Sequence, residues 1–203
     1  IDVTLDDGTV QADLLLIAAG RRPNIPGRAV ERGGIELDAR GYVDVDATLR
    51  TNVTGVYAIG DVAGQPQFTH VSWEDYRRMK ATLQGGGGRE RDDRVLAYAA
   101  FTDPQVGRVG LTVDAARRAG HDARDVTLPL DRVAHAIEFG ETNGFYRLVV
   151  DRKTDEILGA TLVGDAAAEL VHVILAHMEA GSRSSTTKVF VSRVRMDDRL
   201  ARL

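Results

Sequence analysis

Gly60-Asp61, placed directly after the apolar run Val56-Tyr57-Ala58-Ile59, is the pair whose types and position can do chemistry. In open α/β sheets ligands sit beyond the carboxyl ends of strands, where a carboxylate beside a glycine can accept hydrogen bonds from sugar hydroxyls brought close to bare backbone. A dinucleotide fits that geometry, although the same dipeptide is also an ordinary turn. His70, next to Phe68 and Thr69 at the expected start of a helix, reads either as a structural histidine or as a group beside a ligand. His172 and His177 lie five residues apart on one helix and therefore on different faces, so no metal pair is expected and no metal site is assigned. The 203 residues contain no Cys, which excludes disulfide, thiolate-metal and thiol redox chemistry within this stretch.

The elements that must position these residues change character along the chain. Val3 to Leu5 and Thr9 to Gln11 flank Asp7-Gly8, which predicts a hairpin with a type I′ turn. Leu14 to Ala18 is a continuous apolar run ended by Gly20 and Pro23, the pattern of a strand buried on both faces. Residues 24 to 55 are turn-rich with a short strand at Tyr42 to Val45, and Val56 to Ile59 is a second buried strand. Ser72 with Asp75 three residues on has capping-box spacing and predicts a helix with Tyr76, Met79 and Leu83 on its apolar face, ended by Gly85. The glycines from Gly85 to Gly88 and the charged run from Arg89 to Arg94 read as a linker; as a phosphate-cradling loop they lack a preceding strand and a following Lys-Ser/Thr. Beyond them the pattern is antiparallel α+β. Strands are predicted near 96–101, 105–111, 126–129, 145–150 and 157–163, with a short helix from Thr112 to Ala119 stopped by Gly120. A long helix capped by Asp165 carries Leu170, Val171, Ile174, Leu175 and Met178 on one stripe and ends at Gly181.

The segment Thr51-Asn52-Val53-Thr54-Gly55-Val56-Tyr57-Ala58-Ile59-Gly60-Asp61 resembles the second FAD fingerprint of the pyridine nucleotide-disulfide oxidoreductases, the family of dihydrolipoamide dehydrogenase, glutathione reductase and mercuric reductase. Ala18-Ala19-Gly20-Arg21-Arg22-Pro23-Asn24 resembles the segment where that family's NAD(P) domain leads back to the FAD domain. Phe68-Thr69-His70-Val71-Ser72 looks like its turn into a helix whose N-terminus faces the flavin. Phe101-Thr102-Asp103-Pro104-Gln105-Val106-Gly107-Arg108-Val109-Gly110-Leu111-Thr112 resembles the opening of its dimerisation domain. The likeness covers about residues 10 to 181. It implies an α/β plus α+β chain: the C-terminal part of a FAD/NAD(P)-binding Rossmann-like domain, followed by an α+β dimerisation domain with an antiparallel sheet. The implied division is 1–24 for the end of the NAD(P)-binding domain, 25–86 for the FAD-binding domain, 87–94 for the linker, 95–181 for dimerisation and 182–203 for an atypical, poorly ordered tail.

By the same resemblance Gly60, Asp61, Phe68, Thr69, His70 and Gly20 are the expected cofactor-binding residues, with Asp61 on the ribityl hydroxyls of FAD and NAD(P)H as co-substrate. The implied activity is electron transfer from NAD(P)H through FAD to a disulfide or metal-ion acceptor, in a cytoplasmic homodimer. The first FAD glycine motif, the Cys pair and the NAD(P) glycine motif do not occur, and the chain opens on Ile1, so a start inside a larger protein is expected. After Gly181 many members carry an apolar pair, His-Pro-Thr and a Glu; here Phe190-Val191 is followed by Ser192-Arg193-Val194. That difference reads either as a subgroup without that His or as a shifted reading frame, and no catalytic residue is assigned. The stretch from Gly140 to Phe145 looks closer to mercuric reductase-like members.

Other classes are set aside by composition and pattern. With 26 Lys and Arg against 30 Asp and Glu the net charge is −4, and no basic stripe follows a phosphate backbone, so nucleic acid is not an expected partner. No run of about 18 apolar residues exists to cross a bilayer. A non-catalytic dimerising remnant of such an enzyme is the alternative reading. A monooxygenase or ferredoxin reductase, which can share Gly-Asp, is disfavoured by the match from Phe101 onward.

Overall fold

The computed structural model describes residues 1–25, 30–86 and 94–186. Most of the linker 87–94, and the tail beyond 186, lie outside the described residues. The chain divides into two compact units, Ile1–Asp92 and Asp93–Leu203. Mixed α/β structure with an antiparallel sheet is the observed class, as expected.

The first unit opens with a hairpin of β1 (Asp2–Leu5) and β2 (Gly8–Gln11), in register with Leu5 opposite Gly8. The turn is therefore centred on Asp6 and Asp7, neither of which has positive φ. The type I′ turn is corrected: Gly8 sits one residue late, at φ 149, as the first strand residue. Leu14 to Ala18 is not a strand among the described residues, and Leu14, Leu16 and Ile17 are 88%, 88% and 78% exposed. An apolar run states a preference for burial but supplies no neighbouring strand, and nothing described pairs with this one. Val56 to Ile59 and Tyr42 to Val45 are likewise not strands; each region holds one isolated bridge, Arg50 to Tyr57 and Leu37 to Val43. The unit's core is instead built from loops, with Ile25, Val43, Val45, Leu49 and Ala63 buried together. Carboxylates hold those loops: Asp38 accepts from the Arg40 and Tyr42 N–H groups at 2.8 and 2.9 Å, and Asp46 from those of Thr48 and Arg50 at 2.8 and 3.0 Å.

Helix α1 (Thr69–Leu83) starts four residues earlier than the Ser72 cap implied. Ser72 lies inside it and Phe68 holds the cap position without a side-chain bond. Its buried face is Val71, Asp75 and Arg78, whereas Tyr76 and Leu83 are exposed. The expected apolar face is thus wrong because the buried side is anchored by a polar contact that periodicity does not register. Gly85 ends the helix in the left-handed region at φ 77, with the Gly86 N–H on the Ala81 carbonyl, as its type allows.

The second unit is a five-stranded antiparallel sheet in the order β3-β4-β7-β6-β5, with β3 Ala97–Ala100, β4 Val106–Gly110, β5 Ala123–Pro129, β6 Phe145–Asp151 and β7 Ile157–Val163. Helix α4 (Ala167–Glu179) buries Ala167, Val171 and Ile174 against Val109, Ala160 and Leu162. Gly107 lets it approach, since a Cβ there would run into the Ala167 carbonyl oxygen. Helix α2 (Val113–Arg118) places Ala116 with Ala123, Val149 and Leu158, and the Thr112 hydroxyl caps it by accepting from the Ala115 N–H at 3.0 Å. Between Val149 and Val150 the register shifts, Val149 facing Gly159 and Val150 facing Ile157, which leaves Leu158 as the extra residue of a bulge. The short helix α3 (Ala134–Phe139) was not expected. Asp165 does not cap α4; Ala166 does, at φ 56 and without a side-chain bond. Gly181 at φ 63 closes it. Of the expected tail, Ser184 and Ser185 dock on the β6–β7 hairpin, their N–H groups reaching the Asp155 carbonyl at 2.8 Å and its carboxylate at 2.9 Å.

These turn carboxylates set the acid response. The Tyr42 N–H holds Asp38 below the usual carboxylate range, the Lys153 N–H and then His121 do so for Asp151, and the Ser184 hydroxyl does so for Asp155. A depressed folded-state pKa contributes stability that is present above the unfolded value and lost as pH falls through the folded one. The urea midpoint is expected to be flat above about pH 5 and to fall below about pH 4. A midpoint that does not move between about pH 5 and 2.5 contradicts these roles.

Candidate functional site

The centre of the site is a 3-10 turn over Gly60–Ala63. Extended backbone at Ile59 gives way to Gly60 at φ 68, a left-handed conformation that favours glycine. Gly60 is buried, and a Cβ on it would lie 2.6 Å from Ser72 Oγ. Its N–H donates to Asp75 Oδ2 at 2.9 Å, and Asp75 is fully buried. Two constraints thus pin the turn to the early part of α1: a close approach that requires glycine and a buried hydrogen bond to a side-chain oxygen. Replacing Asp75 by Ala is expected to cost about 1–3 kcal/mol by stranding the Gly60 donor. Urea unfolding of the first unit measures this, and an unchanged midpoint would remove Asp75 from the account.

Asp61 follows with its carboxylate turned outward, the side chain 48% exposed. Arg21 Nη1 lies 3.5 Å from its Oδ2. Beside Arg21, Gly20 is exposed at φ 97 with open space where a Cβ would stand. At the start of α1 the Phe68 carbonyl accepts from the Val71 and Ser72 N–H groups, both at 3.1 Å. Thr69 and His70 are exposed on the first turn, where helical N–H groups have no partner inside the helix and the dipole favours anions. The Phe68 and His70 rings stack at 5.4 Å with 23° between planes. Trp73, 62% exposed, leans on Tyr76 at 5.1 Å.

The donor set can therefore accept hydroxyl hydrogen bonds at Asp61, offer a cation at Arg21 and offer N–H donors at a helix start. That combination suits a polyol joined to a phosphate. All six expected site residues lie in the first unit. Gly60, Asp61, Phe68, Thr69 and His70 flank the contact between the 3-10 turn and α1, and Gly20 joins them through its neighbour Arg21. The polar cavity of about 270 Å³ lined by Asp38, Arg40, Asp44 and Gln65 includes none of them. Two contributors escaped the sequence reading. Asp75 was read as a cap partner and Arg21 only as part of a motif; their contacts are long-range and leave no local signal. Among the described residues no three His, Cys, Asp or Glu are grouped to hold a metal, and no helix is long and apolar enough to cross a membrane.

Residues 1–75 match the family described as pyridine nucleotide-disulphide oxidoreductase, and residues 96–191 match its dimerisation domain. The chain is 37% identical over 182 residues to the probable pyridine nucleotide-disulfide oxidoreductase RclA of Escherichia coli, covering 89% of this chain and 41% of that one. It is 32% identical to mercuric reductase of Staphylococcus aureus, over 89% of this chain and 33% of the relative. The solved HOCl-induced flavoprotein disulfide reductase RclA from Escherichia coli superposes with a TM-score of 0.82 at 37% identity, over 91% of this chain and 42% of that one. The chain thus spans about two fifths or less of the length of these relatives.

Proposed function

The chain belongs to the pyridine nucleotide-disulphide oxidoreductase family, and from that premise we propose that it forms the Asp61 side of a FAD site and the dimer-forming part of an NAD(P)H-dependent flavoenzyme. The observation that carries this reading is the Gly60-Asp61 turn, fixed to α1 by the Asp75 hydrogen bond with its carboxylate left open. In this reading Asp61 accepts from ribityl hydroxyls, Gly60 lets the turn pack on Ser72 of α1, and the open backbone at Gly20 allows close approach. The first turn of α1, with Phe68, Thr69 and His70, faces the flavin ring with its N–H groups, which favours negative charge there. FAD held there would supply the hydride and electron-transfer chemistry between NAD(P)H and a disulfide or metal-ion acceptor.

The residues divide into 1–24 at the end of the NAD(P) region, 25–86 for FAD, 87–94 as linker and 95–181 for dimerisation, in a cytoplasmic homodimer. Phe101, Ile137, Phe139 and Val173, exposed on the second unit, offer apolar surface for that pairing. The test is to purify the native polypeptide that carries residues 1–203 and add NADH or NADPH anaerobically. Bleaching of a bound flavin is the expected result. A colourless protein that dimerises would instead support a non-catalytic interaction module.

A further inference from the structure

Side chains along a strand alternate between the two faces of a sheet. Ala97, Val109, Leu148, Ala160 and Leu162 pack with α4, so the residues between them look the other way. By strand register these form one row across all five strands: Tyr98 faces Arg108, Arg108 faces Thr161, Thr161 faces Arg147 and Arg147 faces Thr127. Helix α2 covers the end of that face that carries Ala123, Val149 and Leu158. The middle of the row is polar and holds two cations. Arg108 Nη1 donates to Thr161 Oγ1 at 2.9 Å, and Arg147 Nε donates to Thr127 Oγ1 at 2.9 Å. Arg147 also lies 5.0 Å over the Phe145 ring and 3.5 Å from Asp125 Oδ2. Arg108 is half-buried and has no carboxylate partner among the described residues.

A guanidinium partly removed from water costs free energy until acceptors meet its N–H groups. The Thr161 hydroxyl takes one of the five donors of Arg108 and leaves the rest. The same contact makes that hydroxyl a donor, because the oxygen accepts from Arg108 and its hydrogen is free for an acceptor. Arg108 and Arg147 stand on the strands either side of Thr161, about 10 Å apart at the backbone, a span that two long side chains can close on one group between them. A phosphate, with three free oxygens and up to two charges, meets all three donors; a carboxylate has two oxygens and one charge. We propose that the Arg108–Thr161–Arg147 row binds a phosphate group, as the phosphomonoester of a small soluble molecule. Arg108 is the principal anchor, since Asp125 already offsets part of the Arg147 charge. The site lies wholly in the second unit and does not rest on the flavin reading.

The test is calorimetric titration of the native polypeptide that carries residues 1–203 with inorganic phosphate at constant ionic strength, beside Arg108→Gln, Arg147→Gln and Thr161→Val. The wild type is expected to bind with a Kd of about 1 mM or tighter. Arg108→Gln should raise that Kd by about tenfold or more, as loss of hydrogen bonds to a charged group does. Arg147→Gln and Thr161→Val should raise it by smaller factors, with all three melting midpoints near the parent's. Glycerol 1-phosphate should bind at least as tightly as inorganic phosphate. A wild type that takes up no phosphate, or uptake insensitive to all three variants, as at the first turn of α1, would overturn the assignment. Succinate binding as tightly as phosphate would overturn the choice of a phosphate group. Vesicles carrying phosphatidylinositol 4-phosphate that bind where glycerol 1-phosphate does not would overturn the small-molecule source.

Discussion

Replacing Asp61 by Ala is expected to weaken FAD binding by about 10- to 100-fold, because hydrogen bonds to a charged group contribute about 1.5–3 kcal/mol. The carboxylate is half-exposed and has Arg21 at 3.5 Å as its partner among the described residues, so its removal leaves no buried group stranded. The fold should therefore persist: circular dichroism and the melting midpoint stay near those of the parent while bound flavin is lost. Asp61→Asn keeps one acceptor and some affinity, and ranks between the parent and Ala. This ordering separates a ligand role from a turn-forming one. A carboxylate that only shaped the turn would lower the melting midpoint and leave retained flavin in proportion to folded protein.

Gly107→Val is expected to remove the second unit's stability by about 3 kcal/mol or more, the upper end for overpacking against backbone. Gly107 lies in β4 beneath α4, where an added Cβ meets the Ala167 carbonyl oxygen and comes within 3.0 Å of Val171 Cβ. Neither neighbour is the free end of a flexible side chain. Accommodation requires α4 to lift from Val109 and Leu162, both fully buried, which also disturbs the surface proposed for dimerisation. Gly33→Ala is the matched control, because a Cβ there meets only the Ile35 side chain at 3.9 Å. Thermal unfolding should show a large drop for the first variant and almost none for the second. Equal midpoints would mean that α4 does not sit on β4 as described.

The second unit was legible because its signals are local. Thr112 caps α2, Gly120 and Gly181 close helices in the left-handed region, and alternation marks the paired strands of a sheet that is complete within the unit. Helix α3 was missed because Ala134–Phe139 is short and begins without a capping side chain. In the first unit the reading failed where it turned apolar runs into strands. Leu14 to Ala18 and Val56 to Ile59 state what prefers burial, whereas a strand also needs partners; the described residues supply none to the first run and only the single Arg50–Tyr57 bridge to the second. Of the candidate site, Gly60 and Asp61 were found by type and spacing. Their partners, Asp75 on Gly60 and Arg21 near Asp61, lie at long sequence separations, and contacts of that kind have no period. The buried side of α1 shows the same limit, since Asp75 and Arg78 lie where an apolar stripe would have placed Tyr76 and Leu83.

The central claim is that the Gly60-Asp61 turn holds a flavin. Its most direct test is a crystal structure of the native polypeptide grown with FAD. The account predicts the Asp61 carboxylate within hydrogen-bond distance of a ribityl hydroxyl and the first turn of α1 facing the flavin ring. FAD bound elsewhere, or a turn that stays in solvent beside a bound flavin, would contradict it.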